Sequence, residues 1–310
     1  MLTSNDVPIL LQRLHIQNGY RPMNQPRFYY YKSAFQVHNE LVNVWTHFVP
    51  ILLLTVYYII PELQSDAPRF PALLLHFGTV CLMTGSTIAH LLHSRSPIDH
   101  VFWFCVDFAG IGIWSLTIGL QRYSAEHESG LLFDWLYLPS LLIVVLPIQF
   151  MTTTVFFVTR PHWKMRNLIR LIACLTMAIY LNAPLVRRFW TTPTETSPSL
   201  QMHSRAFQWL LVSGIFMGGN VPERWFPGRF DLLGYGHQLF HICIIMVAWN
   251  LVDAAHLDCD PSTASPFLPK NLATLFVLLI GIAVIFETIR RLMRFAIEKY
   301  AEMPNSEKEE

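Results

Sequence analysis

The chain has 310 residues, of which 53% are hydrophobic and only 14% are charged, and its mean hydropathy is positive. This composition lies outside the range of soluble proteins and indicates an integral membrane protein. The net charge of +1 gives no reason to expect a nucleic acid as a partner. The five cysteines are odd in number and lie mostly in apolar runs, which argues against a disulfide framework.

Residues 1–42 form an N-terminal arm that precedes the first apolar run. The arm has no basic start followed by an apolar core and a small-residue cleavage site, so we expect no signal peptide. We predict that the arm lies in the cytosol or on the membrane surface. Its segment 7–16 is weakly amphipathic, a pattern that fits interfacial contact but is more typical of an ordinary short helix.

Eight continuous apolar runs follow the arm, and most are close to the length of about 20 residues that a helix needs to cross a bilayer. They lie at residues 43–60, 71–93, 101–120, 132–158, 168–186, 204–221, 232–254 and 272–293. Because the runs do not alternate in polarity as barrel strands would, we expect helices as the spanning form. The sequence therefore predicts an all-α integral membrane protein with seven core transmembrane helices and an eighth at the C-terminus. Residues 43–293 are expected to form one helical domain, and residues 294–310 a cytosolic tail.

Basic residues are distributed unequally between the two sets of loops. The arm, the loops near 94–100, 159–167 and 222–231, and the C-terminal tail hold most of the Lys and Arg residues. Since Lys and Arg are enriched in cytosolic loops, we predict that both termini face the cytosol. Without the eighth span the C-terminus would lie outside, and residues 270–293 would need another role, such as an interfacial helix.

The seventh run opens with His237 and His241, which share one face of a helix because they are four residues apart. In a chain with 13 histidines this spacing alone is a weak signal. An ionisable residue inside a spanning helix is costly to bury, however, and is therefore a functional hypothesis by default.

Four polar side chains from three spans are predicted to share one layer of the membrane. They are His90, Asp107, His237 and His241. At a rise of 1.5 Å per residue, each lies roughly 8 to 15 Å from the predicted cytosolic end of its span. Three neutral imidazoles and a water molecule form the open tetrahedral site that is typical of catalytic zinc. We therefore predict a Zn²⁺ site at the three histidines, where Asp107 bonds the water or orients a ligand.

Ser86 lies one helical turn before His90 and could hydrogen-bond near the metal or to a substrate carbonyl. The alternative is that this serine only bonds the backbone of its own helix, as serines in spanning helices often do. We predict that Ser86 and Asp107 are catalytic if the site performs a reaction.

A second polar group lies where the first span begins. Glu40 and Asn43 are predicted to cap or brace neighbouring loops near the site, and Trp45 to anchor the helix at the membrane interface. His47 is expected to hydrogen-bond to a neighbouring helix rather than act as a fourth metal ligand.

The remaining histidines are expected to have no role in the metal layer. His93 and His100 flank a cytosolic loop, and His76 and His256 lie towards the outer side of the membrane. We predict that none of them meets a partner from another span in that layer.

Three blocks of sequence resemble the progestin and adipoQ receptor family. They are Asn39–His47, Ser86-x-x-x-His90 followed by Asp107, and Pro222–Asp231 leading into His237-x-x-x-His241. The resemblance extends from about Gly19 to Trp249. It implies that the three histidines bind zinc and that Asp107 holds a water molecule at the metal. The same serine, aspartate and histidine pattern relates this family to the alkaline ceramidases.

Within that family the chain looks most like the membrane progestin receptor branch. The features that carry this resemblance are Gly19-Tyr20-Arg21-Pro22, Thr46–Pro50, Pro227–Asp231 and the eighth span. At position 38 this chain has histidine, whereas members of the branch usually have threonine. The difference leaves the metal site unchanged and bears on which ligand is bound.

The resemblance implies a receptor in the plasma membrane that binds a steroid, progestin-like, or another lipid and signals through G proteins. An enzyme is the alternative: zinc would activate water, Asp107 would accept a proton, and a lipid amide such as ceramide would be hydrolysed. A structural zinc that joins the spans is a third hypothesis, although structural sites usually fill all four positions with protein ligands. A transporter is disfavoured because no inverted repeat is evident.

Overall fold

The computed structural model describes residues 1–125, 134–158, 165–259, 265 and 267–302. Its helices are α1 (Arg27–Ser33), α2 (Leu41–Leu54), α3 (Ile60–Leu63), α4 (Phe70–Leu92), α5 (Pro97–Ala125), α6 (Asp134–Val158), α7 (Met165–Asn182), α8 (Val186–Thr191), α9 (Pro198–Gly219), α10 (Gly236–Asp258) and α11 (Pro269–Glu302). A π-helical segment, Thr55–Ile59, joins α2 to α3. Two short strands in the arm, β1 (Leu2–Thr3) and β2 (Asn18–Tyr20), pair antiparallel. The described residues are otherwise helical or irregular.

Within the described residues, seven helical segments are long and apolar enough to cross a membrane, which confirms the predicted all-α, multi-span architecture. They are Leu41–Leu63, Phe70–Arg95, Pro97–Ala125, Leu136–Val155, Met165–Thr191, Gly236–Asp258 and Pro269–Tyr300. The C-terminal segment is therefore among the seven. The predicted sixth run forms α9, which has 22 residues but is less apolar because its first half carries His203, Arg205 and several glutamines and serines.

Several helices extend beyond the apolar runs that predicted them. The third run was predicted at 101–120, whereas α5 begins at Pro97 and ends at Ala125. In contrast, α10 begins only at Gly236, because Gly234 adopts a positive φ of 85° in the turn before it. Arg160 and Lys164 of the predicted basic loop, and residues 303–310 of the predicted tail, lie outside the described residues.

Helices α4 and α5 pack closely because two glycines let their backbones approach. A Cβ atom added at Gly110 would lie 2.8 Å from the backbone oxygen of Cys81, and one at Gly85 would lie 3.0 Å from that of Val106. Any larger residue would therefore push the helices apart. This contact brings the end of α4 that carries Ser86 and His90 beside Asp107 on α5.

The N-terminal arm is bound to the same end of the bundle. Arg21 is buried and donates hydrogen bonds to the carbonyl oxygens of His90, at 2.7 Å, and Leu91, at 2.6 Å. These carbonyls lie in the last turn of α4, where no further helical N–H group can reach them. Arg21 also donates to the Ser33 hydroxyl at 2.8 Å. The arm thus caps α4 immediately beyond the predicted metal ligand.

The connection from α9 to α10 fixes the start of the helix that carries the histidine pair. The Glu223 carboxylate accepts a hydrogen bond of 2.6 Å from the Gly236 N–H, at the N-terminus of α10. A carboxylate there is favourable because the first N–H groups of a helix have no internal partner and carry partial positive charge. Asp231 accepts hydrogen bonds from the backbone N–H and the side-chain amide of Asn18, which ties this connection to the arm.

Candidate metal centre

Three imidazoles from two helices converge at the end of the bundle that the arm covers. His90 on α4 and His237 and His241 on α10 each place one ring nitrogen so that all three nitrogens lie within 4.8 Å of one another. The Nε2 atoms of His90 and His237 are 3.3 Å apart. His90 and His241 are buried, and His237 is partly buried. The structure thus brings together the three histidines that the sequence predicted as metal ligands.

The opposite nitrogens of two of these rings have partners of their own. His90 Nδ1 lies 2.8 Å from the Glu40 carboxylate, and His241 Nδ1 lies 3.0 Å from the Thr46 hydroxyl. A carboxylate accepts a hydrogen bond only from a protonated nitrogen, so it favours the tautomer of His90 in which Nε2 carries a lone pair. Metal-binding histidines usually have such a partner, because it fixes the ring and raises its basicity.

This donor set fits zinc. Ligand atoms that surround Zn²⁺ tetrahedrally at about 2.0 to 2.1 Å are themselves about 3.3 Å apart. The separation of the two Nε2 atoms, 3.3 Å, agrees with that geometry. Neutral imidazole nitrogen is also a ligand type that zinc prefers.

Glu40 connects the cluster to the arm. Its carboxylate receives hydrogen bonds from Arg13 Nε at 2.5 Å and Nη2 at 3.1 Å, and from the Asn43 amide at 2.6 Å. Burial alone would raise the pKa of this carboxyl, but the positive charge of Arg13, together with the hydrogen bond from His90, lowers the pKa well below its ordinary value. Glu40 is therefore ionised at neutral pH and can hold the His90 ring.

The sequence predicted that His93 and His100 flank a cytosolic loop and meet no partner from another span, and this prediction was wrong. Both are buried, their Nδ1 atoms are 3.1 Å apart, and His93 Nε2 lies 3.5 Å from Glu40. The turn between α4 and α5 is only a few residues long and folds inward beneath the arm, so it does not project into solvent. Glu40, His90 and His93 could themselves hold a metal ion, although Arg13 already pairs with the carboxylate there.

The hydrogen bond expected from His47 to a neighbouring helix is not formed. Within the part of the chain that the structure describes, neither ring nitrogen of His47 has a hydrogen-bond partner. The ring instead stacks on His241, with centroids 4.0 Å apart and an interplanar angle of 4°. His47 therefore supports the position of His241 by packing.

Asp107 and Ser86, the two predicted catalytic residues, lie beside the cluster. Asp107 is buried, and both the Ser86 side chain and His90 are close enough to interact with it electrostatically. A cavity of about 120 Å³ lies between the arm and the helices, and both Asp107 and His237 line it. Arg170 also lines this cavity and lies over the Phe108 ring, 4.9 Å from its centroid. The cavity therefore has room for a small polar group beside the candidate metal ligands.

A second histidine pair occupies the opposite end of the same helices. The Nε2 atoms of His76 on α4 and His256 on α10 are 3.0 Å apart. Arg69 lies 2.6 Å from His256 Nδ1 and forms an ion pair with Glu62 at 2.6 Å. Among the described residues these two histidines do not belong to a group of three possible metal ligands, so we interpret the pair as a polar contact between helices that is separate from the candidate centre.

Known proteins with similar sequences cover most of this chain. Residues 35–252 match the sequence profile of the family described as "Haemolysin-III related", a range that contains the three histidines and Glu40 but not Arg13. The chain is 27% identical over 293 residues to "Membrane progestin receptor alpha" of Homo sapiens, covering 90% of this chain and 84% of that protein. It is 30% identical over 263 residues to "Membrane progestin receptor beta" of Mus musculus, covering 82% and 74%. It is 28% identical over 271 residues to "Membrane progestin receptor alpha-B" of Danio rerio, covering 82% and 75%.

The chain therefore belongs to the haemolysin-III related family, which contains the progestin and adipoQ receptors, and within it is similar to the membrane progestin receptors.

Proposed function

We propose that this protein is a membrane receptor for a steroid or another lipid, with a zinc ion held by His90, His237 and His241. The observation that carries the proposal is the similarity to proteins named membrane progestin receptors, which covers 90% of this chain in the human case. The convergence of three imidazoles, two of which are oriented by Glu40 and Thr46, supports the metal.

The distribution of basic residues supports an orientation with the arm and the metal centre at the cytosolic side. We place the protein in the plasma membrane, as the resemblance implies, with a cytosolic partner such as a G protein receiving the signal. The arm is suited to that role because Arg13 contacts Glu40 and Arg21 contacts the end of α4.

The contacts of the cluster indicate how a ligand would be sensed. His90 on α4 and His237 and His241 on α10 would hold a zinc ion between the two helices, and Glu40 joins α4 to the arm. A lipid that changes the packing of α10 against α4 therefore changes the arm contacts as well. A ligand acts on such an equilibrium only by binding one arrangement of the helices more tightly than the other.

A lipid amide hydrolase is the second candidate, favoured by the position of Asp107. Asp107 and His237 line one cavity, and the Ser86 side chain contacts Asp107. Zinc, when bound, supplies Lewis acidity that polarises a carbonyl and lowers the pKa of water. Asp107 then accepts the proton of the attacking water and returns it to the leaving amine, while Ser86 orients the carboxylate.

One paired assay on the purified protein in nanodiscs tests both functions. For the receptor we expect saturable binding of radiolabelled progesterone after copurifying lipid has been removed; absence of binding at micromolar steroid would reject the steroid assignment. For the hydrolase we expect ceramide turnover that Asp107→Asn abolishes while zinc content is retained. A zinc-loaded wild-type protein without turnover would reject the enzyme.

A further inference from the structure

The arm carries an exposed aromatic surface beside the bundle. On α1 and the turn after it, the exposed fractions are 65% for Phe28, 50% for Tyr31 and 80% for Phe35. We call these three residues, with Arg27 and Lys32, the α1 surface. Three neighbouring aromatic side chains with this exposure mark an interaction site, because contiguous apolar patches are rare on surfaces that face only water.

The α1 surface is continuous with the lipid-facing side of α2. The Phe35 ring contacts the Trp45 ring with centroids 5.6 Å apart, and Trp45 contacts Phe48 at the same distance. The Trp45 indole N–H donates to the Ala34 carbonyl at 2.7 Å, which fixes α1 against the start of α2. Beyond Phe48, α2 exposes apolar side chains such as Leu52, as expected for a helix that faces hydrocarbon. Tryptophan is typical of the level at which a spanning helix meets the headgroups.

The charges of this surface have one sign. Arg27 and Lys32 are exposed, and the Lys32 ammonium lies 4.7 Å from the centroid of the Phe28 ring. No Asp or Glu occurs from Val7 to Asn39. Aromatic side chains interleaved with basic ones are the composition of helices that lie in the interface of anionic membranes.

We propose that the α1 surface binds the membrane leaflet at this end of the bundle. Phe28, Tyr31 and Phe35 insert between the lipids, and Arg27 and Lys32 contact anionic headgroups. This inference goes beyond the proposed function, since it holds whether or not the protein binds a steroid or zinc.

The buried side of α1 links this contact to the metal centre. Ser33 accepts a hydrogen bond from Arg21, whose guanidinium lies 5.7 Å from the centroid of the buried Tyr30 ring. Arg21 in turn holds the carbonyl oxygen of His90 at 2.7 Å. Lipid contact on one side of α1 therefore supports the position of α4 through the other side.

Photo-crosslinking tests the proposal. The full-length protein carries the photo-crosslinking amino acid p-benzoylphenylalanine in place of Phe35, or in place of the exposed Gln17 outside the α1 surface as the matched control. It is irradiated in native membranes and, after purification, in nanodiscs of phosphatidylcholine with or without phosphatidylserine. We expect lipid adducts at position 35 and few at position 17. A protein adduct at position 35 in native membranes, or no lipid adduct there, would overturn the proposal.

The charges are tested in the same nanodiscs. We expect phosphatidylserine to be enriched severalfold among the adducts relative to its share of the bilayer. The double variant Arg27→Gln/Lys32→Gln should lose this enrichment and keep the adducts to phosphatidylcholine. Equal adduct composition with and without the two basic residues would refute the role given to anionic headgroups.

Discussion

The candidate metal centre depends on contacts made by the nitrogens that face away from it. Glu40 holds His90 Nδ1 at 2.8 Å, and Thr46 holds His241 Nδ1 at 3.0 Å. Each contact fixes the rotation of a ring and so supports the arrangement in which one nitrogen of each histidine lies within 4.8 Å of the others. A preorganised site binds more tightly because less ordering remains to be done on binding.

Thr46 gives a clean test of this role because it contacts His241 and is not itself a ligand. We expect Thr46→Val, which keeps the shape and removes the hydroxyl, to weaken zinc binding about 10-fold. Thr46→Ser keeps the hydroxyl and should bind zinc nearly as the wild type does. The measurement is competition with a chromogenic chelator. Equal affinities of the two variants would show that the hydroxyl does not orient His241.

The sequence predicted the histidines of the centre and placed Glu40 near the site, but it did not predict which side chains contact the rings. His237 and His241 were found because helical spacing places them on one face, and His90 because its depth in the membrane matched theirs. Depth along a helix says nothing about rotation around it, so the stacking of His47 on His241 was missed. His93 was missed because its position in a turn suggested exposure, whereas the arm covers that turn.

The backbones of helices α4 and α5 approach each other closely at Gly110, which has no side chain. A Cβ atom at Gly110 would meet backbone atoms of α4 at 2.8 and 3.0 Å, and backbone cannot rotate away as a side chain can. In contrast, Gly218 on α9 forms a GxxxG motif with Gly214 in the sequence, but it has only the end of the Leu171 side chain nearby, at 3.4 Å from the added Cβ atom. The motif that stands out in the sequence is therefore not the tightest contact in the fold.

This difference predicts unequal costs for the same substitution. We expect Gly110→Ala to destabilise the folded protein by about 1 to 3 kcal/mol, because overpacking forces α4 and α5 apart. Gly218→Ala should change stability little, since the neighbouring leucine side chain can adjust. Thermal unfolding in one detergent compares the two variants directly. A Gly110→Ala protein as stable as Gly218→Ala would contradict the close packing described for α4 and α5.

The helical, multi-span architecture could be predicted because long apolar runs have one stable form in a bilayer. The predicted number of eight spans was not matched, since seven of the described segments are long and apolar enough to cross a membrane. Their ends could not, since a helix continues into the headgroup region wherever its sequence permits. α5 therefore begins four residues before its apolar run, at Pro97, where proline suits the first turn of a helix. Hydropathy alone does not identify α9 as a span. This helix is long enough, but its polar first half lowers its mean hydropathy.

The arm and the bundle together form one unit around the candidate metal centre. Arg13 reaches Glu40, Arg21 caps α4, and Asn18 holds Asp231 before α10. The arm therefore contacts every segment that positions a candidate ligand. The opposite end of the same helices has its own histidine pair, His76 and His256, which lies beside Arg69.

The most direct test of the account is the metal content of purified protein, measured by elemental analysis. We predict one zinc per chain in the wild type and its loss in His90→Ala and in His237→Ala. The matched control is His76→Ala, which removes a buried histidine from the opposite end of α4 and should keep the metal. Wild-type protein without zinc, or zinc retained in both His90→Ala and His237→Ala, would contradict the metal centre.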